Sequence, residues 1–278
     1  MATVQNLKKK LQVIRSTQKI SQAMKTVSTV KYSKLTTLYN SYAKYEEQCN
    51  RLYGCCRKEF NSIFSASDEN APVCYIVITS NKGMCGSFNS EVLGFFRKIL
   101  RDEKETPVII ACGKQAKDFF DNKKIPYEKD YIFPDIPAYN DAQQLFENIK
   151  SLMKKGRISS VRVVYPEYIN MMRQAPVCSD LFSFEDGHTQ EFDPLFVPDK
   201  ETVVKNSAEK ILTSVLYKKI LETALGAQAA TLTTMRSAYD TACEYTADLE
   251  TAINRLRQSQ VTADVLEISA EYTMERNE

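Results

Sequence analysis

Residues Leu35, Leu38, Tyr42, Tyr45, Cys49, Leu52 and Cys56 recur at spacings that alternate between 3 and 4. That is the apolar seam of a helix lying along a partner helix. Upstream, Val13, Ile20 and Val27 repeat at seven, with Ala23 and Val30 between them, and this pattern predicts that the same seam continues. Near the other end, Met235, Ala238, Ala242, Tyr245, Leu249, Ala252 and Leu256 again alternate 3 and 4. Both seams are rich in Ala, Tyr and Cys where a stable zipper would use Leu and Ile.

The middle of the chain changes period. Val73 to Thr79, Pro107 to Cys112 and Val161 to Tyr165 are short, β-branched apolar runs of strand length. Helical stretches are expected between them, at about Ser90 to Arg101, Lys114 to Asn122 and Asp141 to Lys154, and Met171 to Ser183 is a candidate for one more strand. Strands alternating with helices imply βαβ units and a largely parallel sheet.

Proline marks the boundaries. All nine prolines lie from Pro72 to Pro198, and six of the eight glycines lie in the same interval, leaving Gly54 and Gly226 outside. Proline ends or kinks a helix, so the expected organisation is an amino-terminal helix over 1–60, a Rossmann-like α/β domain over 72–198, and a carboxyl-terminal helix over 205–278. The segment from Glu185 to Asp199, with Gly187, reads as the loop into the last helix. The fold class is therefore α/β plus a long antiparallel coiled coil, with the α/β domain inserted between the two helices. Arms of some 50 to 70 residues would run about 75 to 100 Å, more than a globular insert could bury. Their seams must cover each other.

Charge supports that pairing. The 278-residue chain has a formal charge of +2, but the nine basic residues of the first 45 positions face no acid before Glu46, a local +9. Residues 240–278 hold nine acids and only Arg255, Arg257 and Arg276, a local −6. Antiparallel pairing sets one against the other and favours the intramolecular partner.

Composition excludes several chemistries. With 43% hydrophobic and 26% charged residues, the chain is neither disordered nor collagen-like. No run of about 18 apolar residues exists to span a membrane, and the amino terminus lacks the apolar core of a secretory signal. A single histidine, His188, rules out a multi-imidazole metal site. The eight cysteines show no paired C-x-x-C spacing and read as reduced thiols. Cys55-Cys56 could form a redox pair or fill a helix seam.

One segment sits where α/β folds bind phosphate, between the first strand and the next helix: Ser80-Asn81-Lys82-Gly83-Met84-Cys85-Gly86-Ser87-Phe88-Asn89. It matches neither G-x-G-x-x-G nor the P-loop pattern. A tight structural turn is the reading it supports, with a nucleotide site as the alternative. Cys85 has no histidine nearby in sequence to activate it. The basic first arm is open to three readings: nucleic acid, an anionic membrane, or an acidic protein partner.

Two terminal segments are more specific. Lys19-Ile20-Ser21-Gln22-Ala23-Met24-Lys25-Thr26-Val27-Ser28, preceded by Ile14-Arg15-Ser16-Thr17-Gln18, resembles the amino-terminal signature of the γ subunits of F-type ATP synthases. Asn254 to Ile268, reading Asn-Arg-Leu-Arg-Gln-Ser-Gln-Val-Thr-Ala-Asp-Val-Leu-Glu-Ile, is similar to that family's carboxyl-terminal signature. The Ser80 to Asn89 segment looks like its central Ser-Asp-Arg-Gly-Leu-Cys-Gly turn. Asn81 stands for the usual Asp, Met84 for Leu and Asp264 for Glu. The cysteine-bearing regulatory insert of chloroplast members has no counterpart.

The resemblance implies a rotor shaft without an active site, cofactor or metal, turning inside a hexamer of α and β subunits. The α/β domain would sit near the ε subunit and the membrane ring of c subunits, in a complex that drives ATP synthesis with protons or sodium ions. Met24 and Lys25 match positions where the family's first helix faces a β subunit. Arg257, Gln258 and Thr262 match positions where its last helix meets an acidic loop on β. The implied location is the cytoplasmic side of a bacterial plasma membrane, peripheral to it, or alternatively the matrix side of the mitochondrial inner membrane; nucleic acid is not an implied partner. Two rival readings stand beside it: a small α/β enzyme with helical dimerisation arms, and a coiled-coil adaptor for membrane or acidic partners.

Overall fold

The structure, a computed structural model, describes residues 4–55, 71–103, 105–182, 196–197 and 199–275. Cys56, His188, Gly187, Pro194 and Pro198 lie outside the described residues, and with them the Cys55-Cys56 pairing and most of the expected loop. In chain order the elements are helix α1 (Val4–Cys55), strand β1 (Cys74–Ile78), α2 (Phe88–Asp102), β2 (Val108–Cys112), α3 (Lys114–Lys123), β3 (Lys129–Tyr131), α4 (Tyr139–Lys154), β4 (Val161–Asn170), β5 (Arg173–Asp180) and α5 (Lys200–Glu275). Two compact units result. One comprises Met1–Val27 with Thr234–Glu278, the other Ser28–Thr233.

In the larger unit the five strands form one sheet in the order β3-β2-β1-β4-β5. β1, β2, β3 and β4 run parallel, as the βαβ pattern predicts, with Cys74 opposite both Val108 and Val161. β5 is antiparallel to β4, so the sheet is mixed. The short β3, with the sequence Lys-Asp-Tyr, escaped the sequence reading because it lacks an apolar run. Pro166 pairs with Pro176 across the β4–β5 ladder. Neither can donate an amide, so the ladder bonds fall to the flanking pairs, and Pro176 blunts the free edge.

The continuous apolar character of β1 follows from cover on both faces. Cys74, Ile76 and Ile78 turn to a core shared with Ile110, Val163, α4 (Leu145, Phe146, Ile149), α5 (Leu212, Leu216, Leu221) and Leu35 of α1. Tyr75 and Val77 turn to the opposite core, with Ile109, Ala111, Val164, α2 (Val92, Phe96) and α3 (Ala116, Phe120). Thus residues 28–49 of α1 and 204–225 of α5 bury their seams against the insert as well as on each other, which corrects the expectation that the helices must cover only one another. The reason is the width of the apolar face on α5, which runs almost all round the helix between Ala208 and Leu225.

Leu35, Tyr42 and Cys49 lie on the α1 seam as expected, but Leu38 and Tyr45 face outward. Their places are taken by Tyr39 and Glu46, both half-buried. Periodicity located the heptad and misplaced alternate seam positions by one residue, about 100° or just over a quarter of a turn, because a polar-tipped Tyr39 and a paired Glu46 can occupy a seam that composition would leave to Leu and Tyr.

At the end of β2, Gly113 has φ +93°, and a Cβ there would lie 2.3 Å from the Thr79 carbonyl oxygen. Only glycine fits. The Thr79 hydroxyl donates to the Cys112 carbonyl at 3.1 Å and accepts from the Ala116 amide at 2.9 Å, supplying α3 with the cap Gly113 lacks. α5 opens on Asp199, whose carboxylate accepts from the Thr202 amide at 2.9 Å.

Candidate partner interface

The smaller unit is an antiparallel pair of helical segments. Three contacts fix its direction: the Lys25 ammonium lies 4.9 Å from the Tyr239 ring centre, Gln18 Nε2 donates to Cys243 Sγ at 3.1 Å, and Arg15 Nη2 pairs with Glu250 Oε1 at 2.6 Å. Paired residue numbers sum to between 261 and 265, so Val4 falls opposite residues 257 to 261 of α5. The Arg15–Glu250 pair realises the opposition of the basic and acidic arms at one point.

Val4, Leu7, Leu11, Ile14, Gln18, Ser21, Met24 and Lys25 turn inward, each buried or half-buried, while the positions between them are exposed. The expected upstream seam is therefore overturned. Val13, Ile20 and Val27 are 65%, 56% and 53% exposed, and Ala23 also faces out, as does Val30 in the larger unit. The reason lies in the first two heptads: Val4, Leu7, Leu11 and Ile14 supply an aliphatic side chain at every 3-4 step, whereas Val13, Ile20 and Val27 offer one per heptad. The helix thus carries two apolar stripes, and only one is covered by its partner segment.

On α5, Met235, Ala238, Ala242, Leu249, Ala252 and Leu256 turn inward as expected; Tyr245 does not, and Thr246 and Ile253 do. From Arg257 to Ser269 every side chain is exposed. Val261, Val265, Leu266 and Ile268 lie in this stretch, an apolar surface without cover among the described residues.

The five candidate residues fall into two groups. Met24 and Lys25 are half-buried on the α1 seam, beside a depression of about 440 Å³ lined by Gln18, Lys19, Gln22, Ala23, Thr26 and Tyr239. Its amides, hydroxyl and ammonium suit the polar side chains of a partner, and no acid–base couple lines it. Arg257, Gln258 and Thr262 are exposed on α5, some 18 residues beyond Tyr239, or about 27 Å along a helix. The Thr262 hydroxyl donates to the Gln258 carbonyl at 2.9 Å, so the two sit on one helical face. The sequence reading missed the outward stripe of Val13, Ile20 and Val27. Its seven-residue spacing was visible, but spacing alone does not say which of two stripes turns inward.

The Ser80 to Asn89 segment is a tight turn held by hydrogen bonds within itself and to its neighbours. Asn89 Oδ1 accepts from the Ser80 amide at 3.0 Å, Asn89 Nδ2 donates to Cys85 Sγ at 3.1 Å, and the Ser80 hydroxyl donates to the Lys82 carbonyl at 2.8 Å. Met84 and Gly86 take left-handed φ of 64° and 61°. Asn81 donates to the Phe133 carbonyl and accepts from the Lys114 amide, a combination that the carboxylate of an aspartate could not provide. Burial pushes the Cys85 thiol up, which suits a core side chain and not a nucleophile. Among the described residues no cluster of His, Cys, Asp or Glu could hold a metal ion, and no helix is long and apolar enough to cross a membrane.

The sequence profile of the family described as ATP synthase matches residues 3–271. The chain belongs to the ATP synthase family. It is 27% identical over 282 residues to the ATP synthase gamma chain of Rubrobacter xylanophilus, covering 97% of each chain. Among solved structures it resembles a chain of the Euglena gracilis mitochondrial ATP synthase rotor, with 19% identity and a TM-score of 0.66 over 94% of this chain and 99% of that one. A chain in the OSCP/F1/c-ring structure from the same organism gives 18% identity and a TM-score of 0.71, covering 98% and 94%. These likenesses support the mixed sheet flanked by long terminal helices as a family fold. The gamma chain of this family is a non-catalytic subunit, with catalysis on the beta subunits.

Proposed function

We propose that this chain is the central-stalk rotor of an F1Fo ATP synthase, transmitting torque between a membrane ring of c subunits and the catalytic β subunits. One observation carries the reading beyond family membership: a helix pair whose inner seam is already satisfied still exposes a second apolar stripe, Val13, Ile20 and Val27, and an apolar end, Val261 to Ile268. Large exposed apolar surfaces mark sites of association. These side chains carry no hydrogen-bonding groups, so contacts to them are non-directional and can slide as the angle changes. An α3β3 sleeve is the occupant that fits such a surface.

In this reading Met24 and Lys25 meet one β subunit near the Tyr239 depression, and Arg257, Gln258 and Thr262 meet an acidic loop of another. A guanidinium fork and a side-chain amide make directional bonds at one angle and release them at the next. The 1–60 and 205–278 arms serve as shaft, and the 72–198 domain receives torque near the ε subunit and c-ring. As part of that complex the chain is peripheral to a membrane, and its bacterial relatives support the cytoplasmic face of a bacterial plasma membrane.

The test is reconstitution with α and β subunits. The three are expected to co-elute as one ATPase; a chain that elutes alone overturns the reading. Deleting residues 255–278 is expected to abolish coupled ATP synthesis in the full complex, and Met24→Lys to impair coupling more than assembly.

A further inference from the structure

Within the larger unit, α5 carries two ionisable side chains about one helical turn apart, Glu222 buried and Lys219 half-buried, that no apolar packing requires. Glu222, only 6% exposed, accepts from the Tyr39 hydroxyl of α1 at 2.8 Å. Lys219 points the other way, to the sheet: its ammonium donates to Ser179 Oγ of β5 at 2.8 Å and to the Tyr165 hydroxyl of β4 at 3.2 Å, with the Tyr165 ring centre 4.3 Å away. The triangle closes between α1 and β4, where the Tyr32 and Tyr168 hydroxyls lie 2.6 Å apart and the Tyr39 and Tyr168 rings meet edge to face at 6.4 Å. First helix, last helix and sheet are thus joined pairwise by partly buried polar contacts.

Such contacts are a poor route to stability. Burial pushes the Lys219 ammonium down and the Glu222 carboxyl up, the mark of groups held where their charge is disfavoured. Apolar residues of similar volume would often stabilise the same site as well or better. What the polar contacts add is direction. A buried hydrogen bond is lost over a small rotation and leaves both groups unpaired, whereas an apolar interface resists separation but only weakly resists twisting.

We propose that Glu222 and Lys219 form a torsional lock, which fixes the angular register of the first helix, the last helix and the sheet so that the insert does not twist against the helices under load. The lock rests on the rotor reading, and it makes Tyr39, Tyr165, Ser179, Lys219 and Glu222 positioning residues that touch no nucleotide.

The test uses the complete ATP synthase in vesicles and reads ATP hydrolysis without a gradient beside ATP-driven ion pumping against one. Lys219→Met with Glu222→Leu is expected to keep the thermal midpoint and the unloaded hydrolysis rate, but to lower pumping against a gradient by about threefold, the equivalent of one net hydrogen bond. Glu222→Gln, which keeps the acceptor for Tyr39, is expected to retain pumping. Tyr39→Phe, which removes a single hydroxyl, is expected to lose pumping under load to a lesser extent. If the double variant folds and pumps like the parent, the lock is wrong while the rotor stands. If the double variant does not fold, Tyr39→Phe decides, and parental pumping by that variant overturns the lock. Failure of the unaltered chain to assemble with α and β would instead overturn the rotor reading.

Discussion

The two units solve the same problem, pairing α1 with α5, by opposite means. In the larger one the helices sink into a sheet-backed core in which Leu35, Leu216, Ile76 and Ile110 are inaccessible to solvent, and the half-buried Tyr39 hydroxyl bonds across to Glu222. In the smaller one only Ser21, Met235, Ala242 and Ile253 are buried among the described residues, and apolar side chains lie outside as well as inside. One unit is self-sufficient. The other is a two-helix pair with a thin seam, and short helical pairs owe most of their stability to tertiary cover. The missing cover is what a sleeve of partner subunits would provide.

The sharpest test of this contrast is to remove volume from each seam. Leu216→Ala, at a fully buried position, is expected to cost about 2–5 kcal/mol of global stability. Ile253→Ala, on the thin seam, is expected to cost no more than about 1 kcal/mol in the isolated chain. Denaturant unfolding followed by circular dichroism and tyrosine emission would separate them, the chain having no tryptophan. Equal losses would mean that the two helical seams carry equal weight and would end the comparison.

The outer stripe should behave in the reverse way. Replacing Val13, Ile20 and Val27 together with Ser exposes no new apolar surface and leaves the inner seam intact, so each change is expected to shift stability by no more than about 0.5 kcal/mol. Binding to α and β subunits should nevertheless weaken measurably in a pull-down at matched concentrations. Unchanged binding would mean that the stripe is bare surface.

How much of this was legible beforehand depended on what each residue type can signal. The strands declared themselves because a parallel sheet covered on both faces needs unbroken apolar runs such as Cys74 to Ile78. Heptads were equally visible, yet the buried face was not: Val13 and Ile14 are adjacent aliphatics, and only the partner segment decides which one turns in. Tyr39 and Glu46 were misplaced because their seam positions depend on partners far off in sequence, Glu222 for one and Lys218 for the other. Chemistry at the Asn81 turn was legible as a motif, whereas its use as a hydrogen-bond hub required Phe133 and Lys114 to be brought beside it.

A pH titration probes the polar side of the larger unit. Burial raises the Glu222 carboxyl, so just above the ordinary glutamate range the folded chain binds a proton that the unfolded chain has released. Stability attributable to this group therefore rises as pH falls through the folded value and levels off below the unfolded one. Tyr39, Lys218, Lys219 and Glu167 are the ionisable neighbours. The parent should gain thermal stability relative to Glu222→Gln on acidification from about pH 7 to pH 5. A difference independent of pH over that range would show that Glu222 is not held against its charge.

The smallest expected effect belongs to the exposed pair that links the basic and acidic arms. Arg15 and Glu250 meet at 2.6 Å, but their side chains are 56% and 46% exposed. Solvent screening and the entropy of two long side chains leave such pairs only about 0.2–1 kcal/mol. A double-mutant cycle of Arg15→Ala and Glu250→Ala should return a coupling in that range that shrinks as salt is raised, because the pair lies in water and counterions compete for it. A larger, salt-insensitive coupling would mean that the pair is dry and structural, and that the smaller unit has an anchor of its own. In that case it would not depend on partners for cover, and the contrast between the two units would be one of degree. The low exposure of Glu222 against that of Glu250 makes the opposite outcome the expected one: the polar contacts shielded from water lie in the larger unit, and the ion pair of the smaller unit stays weak and screened.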